Sequence, residues 1–316
     1  MPQNITAEAI GLSDGRAVPL HNIKSLQISA SLDSPARSLS GVFAAERLPA
    51  ELSRITVRDR GAVIFEGNVD SQRSVIQGSG RLLHIEARTK GALLLDNQAT
   101  PRILTNINLS IAFSLFLRPY GFILVNPQLH RLLSSYTVRA GICEWEAFAE
   151  CARRMHGITP YMEGEQVMVS RPASHTAVRI SNTGRGLRFT RLEHRFVPYN
   201  MLSEVLIRGA DGVYNTAVRN HSAGHFNVRR RRYITPHNEF METPSQDAHR
   251  RIRRSMLDSR QVLVTLPGWA DLPIGQQVEI VDSSMQLHNL LIRDAHSVMD
   301  ESGIFTKLVL VSSIHL

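Results

Sequence analysis

Apolar and polar side chains alternate through residues 1–98, and this alternation constrains the fold more than any other feature of the sequence. Several runs in this part repeat with a period of two, the pattern of strands with one buried face. They are residues 23–30, 54–59, 62–72 and 81–90. Asp14-Gly15 and Arg60-Gly61 supply turn signals between such runs. We therefore expect antiparallel strands that form a small barrel or a sandwich.

Residues 99–176 have a different pattern. Residues 108–121 and 144–157 show helical spacing, and Gly157 is placed to end the second helix. Residues 158–171 then predict a hairpin that turns near Glu163-Gly164. This part of the chain is expected to be an α/β unit between two β-rich regions.

Strand patterns return from residue 187 onward. Asp211-Gly212 lies between two alternating runs and predicts a hairpin. Further strands are expected at residues 260–269, 275–282, 288–300 and 303–313. The two β-rich regions show no repetition that can be recognised residue by residue.

These patterns predict an α+β chain that is mainly β. We expect a first β-rich domain at residues 1–98 and an inserted α/β domain at 99–176. A second β-rich domain is expected at 177–218 and 260–316, interrupted by a basic strand-helix insertion at 219–259.

The positive charge is concentrated in one segment. The chain has a formal net charge of +8, and residues 219–260 hold ten arginines against four acidic residues, a net of +6. Four of these arginines are consecutive, and four more flank the apolar stripe of a predicted helix that starts near Pro244. The two groups are Arg229, Arg230, Arg231 and Arg232, and Arg250, Arg251, Arg253 and Arg254.

The arginine run admits more than one interpretation. Guanidinium groups neutralise phosphates, so a nucleic-acid-binding protein is one hypothesis. In a strand, however, Arg229 and Arg231 face away from Arg230 and Arg232, which does not favour a single phosphate-binding face. Forked contacts with carboxylates of another subunit or partner are the second hypothesis, and a position along a channel is a third.

No catalytic or metal-binding pattern is found. His221 and His225 are four residues apart in a turn-like sequence, and no zinc, nucleophile-elbow or phosphate-cradle motif is present. A hydrolase with an unrecognised site is the remaining enzymatic hypothesis. Cys143 and Cys151 are expected on one helix, about 12 Å apart and so too distant for a disulfide. We expect no cofactor, no metal, no signal peptide and no membrane insertion, and synthesis in the cytosol.

The last hundred residues resemble the C-terminal part of Mu-type phage tail baseplate hub proteins, which are related to the hub part of type VI secretion spike proteins. A strand ends in Pro267-Gly268-Trp269, and the strands that follow contain Gly275 and Thr306 at the family's positions. Near the N-terminus, Gly67, Arg88 and Asp96 match another family element. The similar motifs follow the same order along the whole chain.

The resemblance implies two tube-type β-barrel domains per chain and a homotrimer of pseudo-sixfold symmetry. Such a ring would join a sixfold tail tube to a threefold central spike and leave a channel for the transient passage of DNA. It also implies partners and a location: tail tube, spike, baseplate wedge and tape measure proteins, in a virion tail assembled in the host cytoplasm. We expect no lysozyme, needle or spike extension after Leu316, and on that expectation the type VI variant is the less favoured one. The arginines are then expected mainly at subunit or partner contacts.

Overall fold

One long antiparallel sheet combines the first and last thirds of the chain. The computed structural model describes residues 4–78, 80–125, 131–170, 176–235 and 244–313. The first third forms β1 (Ile5–Gly11), β2 (Ala17–Leu20), β3 (Ile23–Ser31), β4 (Ser38–Ala44), β5 (Leu52–Asp59), β6 (Ala62–Gln77) and β7 (Gly80–Arg88). The last part forms β18 (Arg260–Pro267), β19 (Gln277–Val281), β20 (Gln286–Asp300) and β21 (Gly303–Ser312).

The intervening residues form short strands and the main helices. The strands are β8 (Arg102–Asn108), β9 (Ile123–Val125), β10 (Leu132–Val138), β11 (Tyr161–Glu163), β12 (Gln166–Met168), β13 (Val178–Ile180), β14 (Arg191–Phe196), β15 (Glu204–Ile207), β16 (Thr216–Arg219) and β17 (Arg231–Ile234). The helices are α1 (Leu93–Asp96), α2 (Leu109–Phe116), α3 (Glu144–His156), α4 (His221–Gly224) and α5 (Pro244–Ser259).

The long sheet runs in the order β14-β18-β21-β20-β3-β4-β7-β6-β5-β1-β2, and β19 and β13 extend it beside β20. Its two halves meet where the C-terminal part of β20 pairs with β3. Asp294 faces Ser31 at one end of this pairing and Met299 faces Leu26 at the other. The first and last parts of the chain are therefore joined by backbone hydrogen bonds.

Each half of the sheet encloses its own apolar core, because alternate residues of every strand point to the same side. The first core is built from strands β1 to β7 and includes the fully buried Leu26, Ile55 and Leu83. The second core contains Ile180, Ile280 and Leu310 among its buried residues. We call the two halves the first and second β-modules.

The two β-modules repeat the same strand pairing. In the first, Leu39 of β4 faces Ala87 of β7. In the second, Val262 of β18 faces Leu310 of β21, and each residue lies 223 positions after its counterpart. The same spacing relates β5 to β19 and β6 to β20, including a bulge that follows Val69 in one and Ile292 in the other. The repetition absent from the side chains is thus present in the backbone register.

The strand of the second module that corresponds to β3 is β14. The separation in sequence between these two strands differs from the 223 residues that separate the other corresponding strands. Leu26 faces Gly41 of β4, and Leu192 faces Val264 of β18, so that these two strands are related by 166 residues. The difference arises in the connection that follows. Residues 32–37 join β3 to β4, whereas residues 197–259 lie between β14 and β18.

Residues 94–169 contribute a separate core in which α2 and α3 pack together with buried Tyr136 and Phe148. Asn108 caps α2 by accepting a hydrogen bond from the Ile111 backbone N–H at 2.8 Å. Gly157 ends α3 with a φ of 67°, the left-handed conformation that glycine adopts without steric cost. The two helices and the hairpin that turns at Glu163-Gly164 are found where the sequence predicts them.

The connection between β14 and β18 forms a compact unit, which we call the basic unit. Its sheet has the order β16-β15-β17, and α5 covers one face of it. Buried Val205, Ile207 and Ile234 of the sheet pack against Ala248 and Ile252 of the helix. The helix has the apolar stripe predicted for it.

The prediction of a mainly β chain is confirmed, since the structure is 50% strand and 19% helix. Closure into two barrels is not, because the described strands do not close a ring within one chain. Both sides of β3 are occupied, one by β4 and the other by β20, so that β2 at the end of the sheet does not pair with β3 to close a ring. The division into domains stays a prediction.

Candidate assembly surfaces

The junction of the two β-modules is held by side chains as well as by backbone. Ser31 Oγ donates to Asp294 Oδ1 at 2.6 Å, and His296 Nδ1 lies 3.0 Å from Ser29 Oγ. Met299 and Trp269, both from the second module, pack against the first core. The two modules therefore share buried apolar surface and form one continuous frame.

The Pro267-Gly268-Trp269 turn is fixed by Thr306, whose side chain is fully buried. The Thr306 hydroxyl accepts a hydrogen bond from the Ala270 backbone N–H at 2.9 Å and donates to the Gly268 carbonyl at 3.1 Å. Gly268 has a φ of 81°, which allows the chain to turn there. The turn at Gly268 and its contacts with Thr306 place the Trp269 ring in the first core. Gly275, with a φ of 82°, donates its N–H to the Ile292 carbonyl at 2.8 Å and starts the approach to β19.

Arg88 joins the bulge of β6 to the end of α1. It donates to Asp70 at 2.6 and 3.1 Å and to Asp96 at 2.8 and 3.0 Å. The hydrogen bonds that Arg88 donates to the carboxylates of Asp70 and Asp96 raise its pKa and keep it charged. Gly67 lies beneath this contact, where an added Cβ would approach the Arg88 carbonyl oxygen to 2.5 Å. Gly67 and Asp96 thus both lie against Arg88 in this chain.

Arg254 belongs to an ion network that links α5 to both β-modules. It donates two hydrogen bonds to Asp33, at 2.8 and 2.9 Å, in the connection between β3 and β4. Arg293 of β20 lies 3.4 Å from Asp33 and donates to Asp258 at 3.1 Å. Burial raises the pKa of Asp33, but hydrogen bonds from Arg254 and the charges of both arginines outweigh it and lower the pKa.

The consecutive arginines do not lie in a single strand, because β17 begins at Arg231. Arg231 pairs with Glu204, which also lies 4.0 Å from Arg219 on the opposite neighbouring strand. Arg230 donates to the Tyr199 and Asn200 carbonyls and packs its guanidinium 5.1 Å from the centre of the Tyr199 ring. Half of the run is therefore engaged within its own chain.

Arg229 and Arg232 have no ion-pair partner among the described residues and remain exposed. On the outer face of the basic unit, exposed Tyr233 packs edge-on against Tyr214 at 5.0 Å between ring centres. Arginine and tyrosine are the residue types enriched at the centres of protein interfaces.

The helix arginines differ among themselves. Arg250 and Arg251 both pair with Asp247, which is only 3% exposed, and thereby compensate a buried carboxylate within α5. Arg253 is half-buried, and Arg254 is the network residue described above. The structure thus separates eight arginines that look alike in sequence.

Two features of these surfaces have no signal in the sequence. Asp33 and Arg293 come together only through the β20–β3 pairing, across 260 residues of chain. Ile76, near the end of β6, is 66% exposed. The edges of β6 and β14 can be identified only once the order of the strands in the sheet is known.

A cleft of about 890 Å³ lies between the first module, the hairpin of β11 and β12, and the Trp269 turn. Lys90 spans its rim with an ion pair to Glu165 at 2.9 Å. Within the described ranges, no group of His, Cys, Asp and Glu side chains is arranged to hold a metal ion. Across the same residues, none of the helices has the length and apolar character needed to span a bilayer.

The fold defined by these modules is that of phage tail proteins and type VI secretion spike proteins, which are the structural neighbours of this chain. The resemblance expected from the sequence is thus confirmed for the fold. No family model matches the chain, and no curated protein matches it by sequence.

The 43 kDa tail protein of prophage MuSo2 from Shewanella oneidensis superposes with a TM-score of 0.81 at 16% identity, over 99% of both chains. A tail protein from Neisseria meningitidis gives a TM-score of 0.75, also at 16% identity, over 99% of this chain and 97% of that one. A type VI secretion component of E. coli, described as similar to T4 phage tail proteins, gives 0.58 at 8% identity over 99% and 77%.

Proposed function

We propose that this protein is the structural baseplate hub of a contractile phage tail or a tail-like particle. The observation that carries the proposal is the likeness of fold to a Mu-type prophage tail protein over nearly the full length of both chains. The paired β-modules are consistent with it, because they place two equivalent units in each chain. Its role is mechanical rather than catalytic.

In the proposed assembly, three chains form a ring. Two equivalent β-modules per chain then give six around the axis, which suits a sixfold tail tube on one face and a threefold spike on the other. The tube-type barrels are completed in this ring, and the α/β and basic units lie outside the repeated frame. The expected partners are the tail tube, central spike, baseplate wedge and tape measure proteins, with DNA passing through the channel in a virion assembled in the host cytoplasm.

Light scattering coupled to size-exclusion chromatography tests the ring, together with averaged electron micrographs of the purified protein. We expect a particle of three chains with six similar densities around a central hole. A strictly monomeric protein at all concentrations would overturn the proposal.

Nucleic-acid binding by residues 219–260 is the alternative function. The contacts of Arg231, Arg250, Arg251 and Arg254 with acidic groups of their own chain leave fewer guanidinium groups for phosphates. Gel shifts with duplex and single-stranded DNA at about 50 mM salt separate the two functions, since phosphate binding is strongest at low salt. Under the hub proposal, we expect no shift.

A further inference from the structure

The pairing between β20 and β3 has an incomplete counterpart in the first module. β20 pairs with β21 on one side, and its C-terminal part pairs with β3 on the other. Its counterpart β6 pairs with β7 along residues 68–77, but β5 covers its other side only as far as Asn68. Within the described part of the chain, residues 71–76 have no backbone partner on that side.

The counterpart of β3 also has one side on which none of the described strands pairs with it. β14 pairs with β18 through residues 191–196 and forms one end of the sheet. Seven strand spacings of about 4.8 Å separate β14 from β6 along the sheet, so the two edges of one chain lie about 34 Å apart measured along it. Each chain therefore has two complementary edges that do not meet each other.

We propose that β6 of one copy pairs antiparallel with β14 of the next copy, in the register of the β20–β3 junction. This inference rests on the proposed ring and specifies its subunit contact. Met299 faces Leu26 and Ser297 faces Ile28 within the chain. The corresponding β6 residue lies 223 positions before each β20 residue, and the corresponding β14 residue lies 166 positions after each β3 residue. The expected pairs between copies are therefore Ile76 opposite Leu192 and Ser74 opposite His194.

The apolar side chains fit this register. Met299 of β20 packs against the first core beside Leu26. Its counterpart Ile76 is 66% exposed, whereas Leu192 already packs against the second core. In the proposed contact, Ile76 covers the second core of the neighbouring copy, which accounts for a large exposed isoleucine on a strand edge.

The charges on the other face compensate each other in part. The register places Arg73 opposite Arg195, which taken alone is unfavourable. Glu193, two residues before Arg195, becomes the diagonal neighbour of Arg73. Glu86, which faces Ser71 on β7, is diagonal to it on the opposite side. Arg191, on the same face of β14, already pairs with Glu193 within the chain at 2.8 Å, so that Arg73, Arg191 and Arg195 lie beside two glutamates.

The contact is heterologous, since two different edges meet, and such contacts close into rings or extend without limit. Within the chain, the β20–β3 junction relates one module to the next by a fixed rotation. Repeating that rotation between chains would make all module-to-module junctions of the ring equivalent.

Co-expressed cysteine variants test the register. Directly opposed residues in an antiparallel pair have Cα atoms about 4.5–5.5 Å apart, within the range of a disulfide. We expect Ser74→Cys and His194→Cys chains to form a linked dimer on oxidation. Ser74→Cys with Glu193→Cys is the matched control, because residue 193 points to the opposite face. It should give little product, and each variant alone should give none.

Substitution of the apolar contact gives an independent measurement. We expect Ile76→Arg to weaken the association of chains by about tenfold or more, from the apolar burial that is lost. Ile103→Arg is the control, since Ile103 is 65% exposed but lies on β8 in the α/β unit, and it should leave association unchanged. Circular dichroism checks that both variants fold.

The outcomes separate this contact from the hub function. An unsubstituted protein that forms trimers while Ser74→Cys and His194→Cys fail to cross-link would overturn the strand pairing and leave the ring in place. Equal effects of Ile76→Arg and Ile103→Arg would also overturn it. A monomeric unsubstituted protein would instead overturn the proposed ring.

Discussion

At Asp33, a single carboxylate joins parts of the chain that are far apart in sequence. It receives Arg254 from the basic unit and Arg293 from the second module while lying in the first. Its folded-state pKa is lowered, so the ionised form stabilises the folded state. That stabilisation is fully present above the unfolded pKa of about 3.9 and is lost as the pH falls through the lower folded pKa.

We predict that Asp33→Asn lowers the free energy of unfolding at pH 7 by about 1 kcal/mol, a small value because solvent screens a carboxylate that is partly exposed. The difference between the variant and the unsubstituted protein should shrink as the pH falls below about 4, because protonated Asp33 no longer forms ion pairs with the two arginines. Urea denaturation across pH measures both effects. Glu301→Gln, at an exposed turn, is the control, and an equal loss of stability there would contradict the prediction.

The sequence identifies such residues unevenly. The arginine run is evident because its members are adjacent, but their partners are not. Glu204 neighbours both Arg231 and Arg219 only because three strands align in register. Asp33 carries no local pattern that distinguishes it from an ordinary turn residue, so its role depends on contacts that the sequence does not display.

At the scale of the element, the hairpin of β6 and β7 depends on close backbone approach. The Arg88 carbonyl passes over Gly67, where no side chain fits. Position 67 of β6 therefore requires a residue without a side chain, although neighbouring residues of the same strand pack into the first core. The bulge at Asp70 then turns the outer half of β6 away from β5.

We predict that Gly67→Ala destabilises the protein by about 1–3 kcal/mol, the usual cost of forcing extra volume into a packed site. Gly80→Ala is the matched control in the same hairpin, since the nearest atom to its Cβ would be 3.4 Å away. Thermal unfolding monitored by circular dichroism compares the two. Equal melting temperatures would show that the Arg88 carbonyl moves aside without cost.

Strands are predictable here because alternation is a local property. The runs at 23–30, 54–59 and 303–313 lie within β3, β5 and β21 or within one residue of them. Which strands become neighbours is not local. The pairing of β20 with β3 joins residues more than 250 positions apart, and no turn signal encodes it. The sequence therefore predicts individual strands but not the continuous sheet that joins the two β-modules.

At the scale of the molecule, we propose that Arg229 and Arg232, which are exposed and have no ion pair among the described residues, contact another protein of the particle. We predict that the double substitution Arg229→Ser and Arg232→Ser changes the free energy of unfolding by less than about 0.5 kcal/mol, as is usual for exposed positions. Particle assembly should nevertheless decrease, because forked contacts with partner carboxylates are lost.

Complementation of a particle-producing strain that lacks its own copy measures this, with intact tails counted in electron micrographs. Arg16→Ser with Arg185→Ser removes the same charge from two exposed sites elsewhere and is the control. Undiminished assembly by the Arg229 and Arg232 variant would refute a partner contact at these residues.

The repeated module could not be recognised from side chains, although the backbone registers agree over most of the sheet. Leu39 corresponds to Val262 and Ala87 to Leu310, pairs that share only apolar character. Buried strand positions accept any residue of suitable size, so two copies of one fold can lose their sequence likeness while their hydrogen bonding is retained.

The connection of residues 197–259 gives the frame an uneven outline. Where the first module turns back after six residues, 32–37, the second carries a whole sheet and helix. In the proposed ring, protrusions would therefore stand at alternate positions, three around a perimeter of six. A protein that binds these protrusions would be present in three copies, whereas one that binds the strands common to both modules would be present in six copies. The length of one loop would thus set the stoichiometry of the neighbours on either side.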